Sequence, residues 1–173
     1  MKNILDFFVE VGNLKGKKRK GMMLYGIKDP ETIAEHSFQM TIIAWFLGTM
    51  KNFNIEKVIK MSLIHDLCEV YAGDITPYDG LLPKNKKKRY EFVKKWPPYG
   101  TIKEKEKTYR QKFKKEKEAL EKLTGAMSLE LKEEITNLWL EYRVQFSKEG
   151  RFVYQIGRVE NLLETLDCRK RDK

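Results

Sequence analysis

Apolar residues recur at helical spacing through most of the chain, and no run alternates convincingly in the two-residue period of a half-buried strand. Ile4, Leu5, Phe7, Phe8, Val11 and Leu14 carry this rhythm and predict a first helix over residues 3–14. A basic loop from Lys15 to Lys20 leads through Gly21 into a short apolar stretch ending at Ile27. Asp29-Pro30-Glu31 then marks a turn. Thr32 followed by Glu35 has the reciprocal pattern of a capping box, so the next helix is expected to start at Ile33. It runs through Phe38, Ile42, Ile43, Trp45, Phe46 and Leu47 to about Met50. Apolar around much of its circumference, it is expected to be deeply buried.

Asn54 suits the N-cap of a third helix carrying Val58, Ile59, Leu63, Ile64 and Leu67, expected to end near Gly73. Asp74-Ile75-Thr76-Pro77 leaves it as an ordered loop, and Pro83 closes the apolar patch. Residues 84–96 and 104–123 read as basic helices around a Pro97-Pro98-Tyr99-Gly100 break. Ser128 is placed to cap a helix through Ile135, Leu138, Trp139 and Tyr142. The last helix spans about Glu149 to Asp167, with Phe152, Val153, Ile156, Val159, Leu162, Leu163 and Leu166 expected inward. There are no internal repeats. The pattern predicts an all-α fold: one domain over residues 1–173, with 84–124 a lysine-rich helical hairpin inserted within it.

At 173 residues the chain is long enough to bury a full core, and no apolar run reaches the roughly 18 residues of a membrane span. The start, Met1-Lys2-Asn3-Ile4, lacks the apolar stretch and cleavage site of a signal peptide. Two cysteines, Cys68 and Cys168, make no disulfide framework, which favours a reducing cytoplasm. Cys68 falls among apolar residues and reads as a small buried hydrophobe. The net charge of +10 is concentrated: residues 84–122 hold 16 Lys or Arg and 6 Asp or Glu, so the remaining 19 of each sign cancel. Any nucleic-acid role must therefore rest on that segment alone.

The chain has only two histidines, and both sit beside acids. His36 follows Glu35, and His65 precedes Asp66. Imidazole and carboxylate together suit a borderline divalent cation. On one helix His65 and Asp66 would lie about 100° apart, and His36 can join them if the two helices pack antiparallel. Glu69 shares their face and is placed to hold or deprotonate an attacking water. Asp74 can rim the pocket, and Arg19 is suited to clamp a phosphate. Each residue also has a plain structural reading: a satisfied core histidine, a capping Glu35, a solvated Glu69, a solvated basic loop. The two histidines falling in one pattern favour the metal reading.

Residues 4–81 resemble the 5'-deoxynucleotidase branch of the HD-domain phosphohydrolase superfamily. The likeness is carried by Arg19-Lys20-Gly21, Pro30-Glu31-Thr32-Ile33-Ala34-Glu35-His36-Ser37, His65-Asp66-Leu67-Cys68-Glu69-Val70 and Gly73-Asp74-Ile75-Thr76-Pro77. It resumes at Leu138-Trp139 and at Gly150-Arg151-Phe152-Val153-Tyr154-Gln155. The resemblance implies a helical, dimeric protein holding one divalent transition metal (Mn, Co, Fe, Zn or Ni) and hydrolysing deoxynucleoside 5'-monophosphates. By that likeness His36, His65 and Asp66 are metal ligands and Glu69 orients or deprotonates the water. Asp74 would assist the leaving group or contact the sugar, and Arg19 would hold the phosphate.

The chain departs from the family pattern at two positions. A tryptophan usual after the glycine is replaced by Met22, and an aspartate that supplies the fourth ligand in a Gln-x-Asp context is replaced by Gly157. Glu160, one turn along, is a possible substitute ligand. The vacancy predicts weaker metal affinity and reduced or absent turnover. Two other readings stay open: a catalytically silent HD fold that binds a nucleotide or nucleic acid, and an HD hydrolase of another phosphorylated nucleotide. In the insert, Tyr90, Phe92, Trp96, Tyr99, Tyr109 and Phe113 interleave with basic residues. That suits a nucleic-acid backbone with stacked bases, but a solvated hairpin packed on the domain is favoured because no nucleic-acid motif is present. A hairpin that gates the pocket is a third possibility. A small-molecule nucleotide, a second copy of the chain and no membrane complete the expected partners.

Overall fold

Four helices surround the residues of interest: α3 (Ile33–Thr49), α4 (Ile55–Ile64), α8 (Leu129–Val144) and α9 (Lys148–Arg171). They belong to a computed structural model that describes residues 4–95 and 100–171. Before them come α1 (Ile4–Gly12), a short 3₁₀ turn (Asn13–Gly16) and α2 (Lys20–Leu24). Between α4 and α8 lie α5 (Glu69–Ala72), α6 (Lys86–Val93) and α7 (Ile102–Leu123). Among the described residues the fold is all-α, without a strand; one isolated bridge pairs Lys18 with Thr32.

The expected caps form. Thr32 Oγ1 accepts from the Glu35 amide at 3.1 Å, while Glu35 Oε2 accepts from the Thr32 amide at 2.6 Å. Asn54 Oδ1 accepts from the Lys57 amide at 3.1 Å, and Ser128 Oγ from the Leu131 amide at 3.4 Å. Thr101 and Glu104 form a second capping box, so α7 starts two residues before the expected 104.

The core has two main parts. One joins α3, α4, α8 and α9 through Met40, Ala44, Met61, Tyr142, Val153 and Ile156. The other joins α3, the 65–70 segment, α7 and α8 through Ile33, Leu67, Cys68, Leu120, Leu123 and Trp139. The lysine-rich segment therefore contributes to the core: Leu120 and Leu123 are buried, and Phe113 lies 5.3 Å from the Trp139 ring. Its outer face carries Glu–Lys pairs such as Lys114–Glu118 and Lys117–Glu121, both at 3.9 Å. The expected break at Pro97-Pro98, with Trp96 and Tyr99, lies outside the described residues. Cys68 is buried as expected, and burial pushes its thiol well above the ordinary range.

Three expectations are corrected. The third helix does not run to Gly73. It stops at Ile64, passes through a turn at His65–Cys68 and resumes as α5. Helix α3 buries Ile33, His36, Met40, Thr41, Ala44 and Gly48 but exposes Phe38, Trp45 and Phe46, so it is two-faced rather than deeply buried. On α9, Val159, Leu162, Leu163 and Leu166 are exposed, and Glu160, Glu164 and Cys168 occupy the buried face instead. On α9 the expected stripe holds for Val153 and Ile156, which enter the core, while from Val159 onward packing turns the neighbouring face inward. Among the described residues no helix is long and apolar enough to cross a membrane.

Candidate active site

Helices α3 and α4 run antiparallel, which sets His36 near the start of one beside His65 just past the end of the other. Their rings stand 5.3 Å apart at 61°. The turn at 65 aims His65: its Nδ1 donates to the Ser62 carbonyl at 2.7 Å, leaving Nε2 3.0 Å from Asp66 Oδ2. His36 is held in the same sense. Its Nδ1 meets Glu160 Oε2 at 2.5 Å, and its Nε2 lies 3.9 Å from the same Asp66 Oδ2. Both rings thus spend Nδ1 on a protein acceptor and turn Nε2 toward one carboxylate oxygen.

The charges respond to that arrangement. Burial works against ionising Asp66, yet His65, Arg19 and His36 hold it well below the usual carboxylate range. Burial also opposes charging His36, but hydrogen bonds to Glu160 and Glu31 outweigh it and push the imidazole up to about 9. Glu69 is driven well above the ordinary range by burial and by the Asp66 and Asp74 carboxylates.

Arg19 reaches the cluster because its strand-like segment pairs with the entry to α3. The Arg19 amide donates to Glu31 O at 3.0 Å and the Ile33 amide to Lys17 O at 2.8 Å. Its guanidinium donates from Nη1 to Asp66 Oδ2 at 3.1 Å and from Nη2 to Asn161 Oδ1 at 3.0 Å. Asp74 Oδ2 accepts from the Lys20 amide at 2.7 Å, bracing the residue next to Arg19. Lys17 Nζ donates to the Glu69 and Val70 carbonyls at 2.9 and 2.7 Å, which secures α5. Gly73 adopts φ +71°, a left-handed conformation that lets the chain leave α5 toward Asp74.

Position 157 faces the same region without a side chain. A Cβ there would sit 3.4 Å from Met40 Sδ and Cε and 3.9 Å from Tyr142 Oη, whose ring packs edge-on against His65 at 5.1 Å. Met22, standing where the family pattern has tryptophan, is buried beside Ile27 and Cys168.

Two residues escaped the reading of individual side chains. Glu31 lies 3.4 Å from His36 Nδ1 and 4.0 Å from Arg19 Nε, although by spacing it reads as a turn residue before a cap. Asn161 links Arg19 to the Gly157 carbonyl, to which it donates at 2.8 Å. Its i+4 spacing from Gly157 was the available signal.

Among the described residues two groups could hold a cation, each with its ligand atoms within 4.8 Å of one another: His36, His65 and Asp66, and Glu31, His36 and Glu160. The first fits a divalent transition metal. It offers two imidazole nitrogens with their far nitrogens already engaged, plus an ionised carboxylate. In the second, the imidazole nitrogen is already bonded to Glu160. Glu160 therefore stands on the side of His36 away from Asp66.

The HD domain family matches residues 11–95 and 98–173, and the chain belongs to it. Among known proteins it is 30% identical to 5'-deoxynucleotidase HDDC2 of Danio rerio, over 95% of this chain and 68% of that one. It is 29% identical to 5'-deoxynucleotidase HDDC2 of Xenopus laevis, over 99% and 72%. Among solved structures it resembles a protein from Magnetospirillum magnetotacticum, described as a predicted metal-dependent phosphohydrolase. That likeness has a TM-score of 0.66 at 25% identity over 92% and 69% of the two chains. A conserved hypothetical protein from Pyrococcus furiosus shares the fold, with a TM-score of 0.67 at 20% identity over 95% and 78%.

Proposed function

We propose that this chain is a metal-dependent phosphohydrolase that converts deoxynucleoside 5'-monophosphates to deoxynucleoside and phosphate. The observation that carries the reading is the convergence of His36 Nε2 and His65 Nε2 on Asp66 Oδ2, at 3.9 and 3.0 Å. The names of the relatives supply the substrate class. His36, His65 and Asp66 would hold the cation, one of Mn, Co, Fe, Zn or Ni. When bound, it supplies Lewis-acid activation of the phosphoryl oxygen and of water.

The remaining groups take up the rest of the chemistry. Arg19 is the anion clamp, since its guanidinium is fixed by Asp66 and Asn161 and offsets charge growing on the phosphate. Burial and the neighbouring Asp66 and Asp74 carboxylates push the Glu69 carboxyl upward, and beside a cation its carboxylate would be favoured and would accept a proton from the attacking water. Asp74, which accepts from the Lys20 amide at the start of α2, would assist the leaving group or contact the sugar while keeping Arg19 in register. The exposed Phe38, Trp45 and Phe46 of α3, with Leu162 and Leu166 of α9, suit a homodimer contact.

The missing side chain at Gly157 favours a second reading, a nucleotide-binding HD fold with little or no turnover. Phosphate release from a panel of deoxynucleoside monophosphates with Mn²⁺ or Co²⁺ separates the two. Turnover that disappears in His65→Ala supports the enzyme. Saturable nucleotide binding without release of phosphate, in the wild type and in Gly157→Asp alike, supports the silent fold.

A further inference from the structure

Glu160 is the least expected residue of the core. Its side chain is fully buried on α9, and Oε1 has no hydrogen-bond partner. A carboxylate in such a place is costly unless a specific partner holds it. Its other oxygen has one: the His36 ring, Nδ1 to Oε2 at 2.5 Å.

Resting on the metal-site reading above, we propose that Glu160 is a positioning residue for the metal centre, acting through His36 rather than replacing the ligand missing at 157. The two imidazole nitrogens point to opposite sides of the ring. Asp66 and His65 stand on the Nε2 side, and Glu160 on the Nδ1 side. A carboxylate that accepts from Nδ1 fixes the tautomer and ring orientation and makes Nε2 a stronger donor to a cation. Glu31, 3.4 Å from the same nitrogen, adds a second carboxyl group behind the ring. The next residue along α9 does the equivalent for the substrate side, because Asn161 Oδ1 accepts from Arg19 Nη2 at 3.0 Å. Helix α9 thus serves the site indirectly, through residues 160 and 161, where position 157 offers no side chain.

The test uses the full chain with Glu160→Gln and Glu160→Ala, read by Mn²⁺ titration calorimetry and by the optical spectrum of the Co²⁺ form. Glutamine keeps the volume and an acceptor oxygen but removes the charge, so it stays informative if the alanine variant fails to fold. The expected result is a loss of Mn²⁺ affinity of about tenfold in Glu160→Gln and toward a hundredfold in Glu160→Ala. The Co²⁺ coordination number should remain that of the wild type. Mn²⁺ affinity in folded Glu160→Gln within twofold of wild type would overturn the proposal. So would a changed coordination number, which would make Glu160 a ligand itself. Wild-type protein that takes up no metal, or that binds Mn²⁺ no more tightly than His65→Ala, would instead sink the underlying metal-site reading, and this inference with it.

Discussion

Arg19 and Asp66 are joined by a 3.1 Å hydrogen bond to the same Oδ2 that faces both imidazole Nε2 atoms. The guanidinium therefore provides positive charge to that oxygen in the metal-free protein. Both side chains are largely buried, at 14% and 12% exposure, so removing Arg19 deletes a charge-assisted hydrogen bond and leaves the Asp66 carboxylate to the two imidazoles alone, a cost on the order of 1.5–3 kcal/mol. Arg19→Ala is expected to lower the melting temperature strongly in EDTA and to gain more from added Mn²⁺ than the wild type does, because a cation takes over the neutralising role. Its KM for nucleotide should also rise. Thermal unfolding with and without metal decides the point; an equal or smaller metal-induced gain in the variant would count against it.

Gly157 has room for a small side chain in ordinary contact with Met40, at 3.4 Å. Two effects of filling it can be separated. Gly157→Ala removes a helix-interior glycine and should stabilise the metal-free protein by about 0.5–1 kcal/mol without altering metal affinity. Gly157→Asp adds a carboxylate beside Tyr142 and His65, and should tighten Mn²⁺ by about tenfold or more as a further ligand. Calorimetric titration of both variants checks this. Equal affinities in the two would mean that position 157 does not address the cation.

Much of this arrangement was legible in the chain. Thr32–Glu35, Asn54 and Ser128 announce helix starts through side-chain chemistry, and the meeting of His36 with His65-Asp66 follows from two helices packed antiparallel. The break at His65 was not legible, because Ile64 to Cys68 contains no glycine or proline. The turn there is recorded instead by the bond from His65 Nδ1 to the Ser62 carbonyl. Burial of Glu160 and Glu164 over Leu162 and Leu163 was hidden for another reason. Hydrophobic periodicity ranks faces by transfer energy, whereas the inward face of α9 follows Val153 and Ile156 with Glu160, bonded to His36, and Glu164, bonded to Cys168 and Arg171.

His36 provides a pH test. Its folded value is raised to about 9 from an ordinary 6.5, against burial, by Glu160 and Glu31. A raised value means the folded state binds the proton more tightly than the unfolded one. The resulting stability is fully present below about pH 6.5 and is lost as pH rises to about 9. In EDTA the wild type should lose urea resistance over that window more steeply than His36→Gln. Parallel curves for the two proteins would show that His36 does not carry the effect.

Lys112 ties the lysine-rich segment to the site. Its Nζ donates to the Ile75 carbonyl at 2.6 Å, one residue past Asp74, while lying 3.5 Å from Glu116. Glu116 in turn is buried and paired with Arg143 on α8, so the lysine is anchored from below. Lys112→Met keeps the aliphatic stem and removes the donor, leaving the Ile75 carbonyl without that partner at a cost of about 1 kcal/mol. If the bond holds the Asp74 loop in its working position, kcat should fall several-fold with the fold retained and KM little changed. Lys114→Met is the matched control: that lysine is 79% exposed and only 3.9 Å from Glu118, so its loss should leave kcat unaltered. Equal kcat in the two variants would reduce the segment to packing and surface charge. A drop confined to Lys112→Met would make α7 a brace for the leaving-group side of the site.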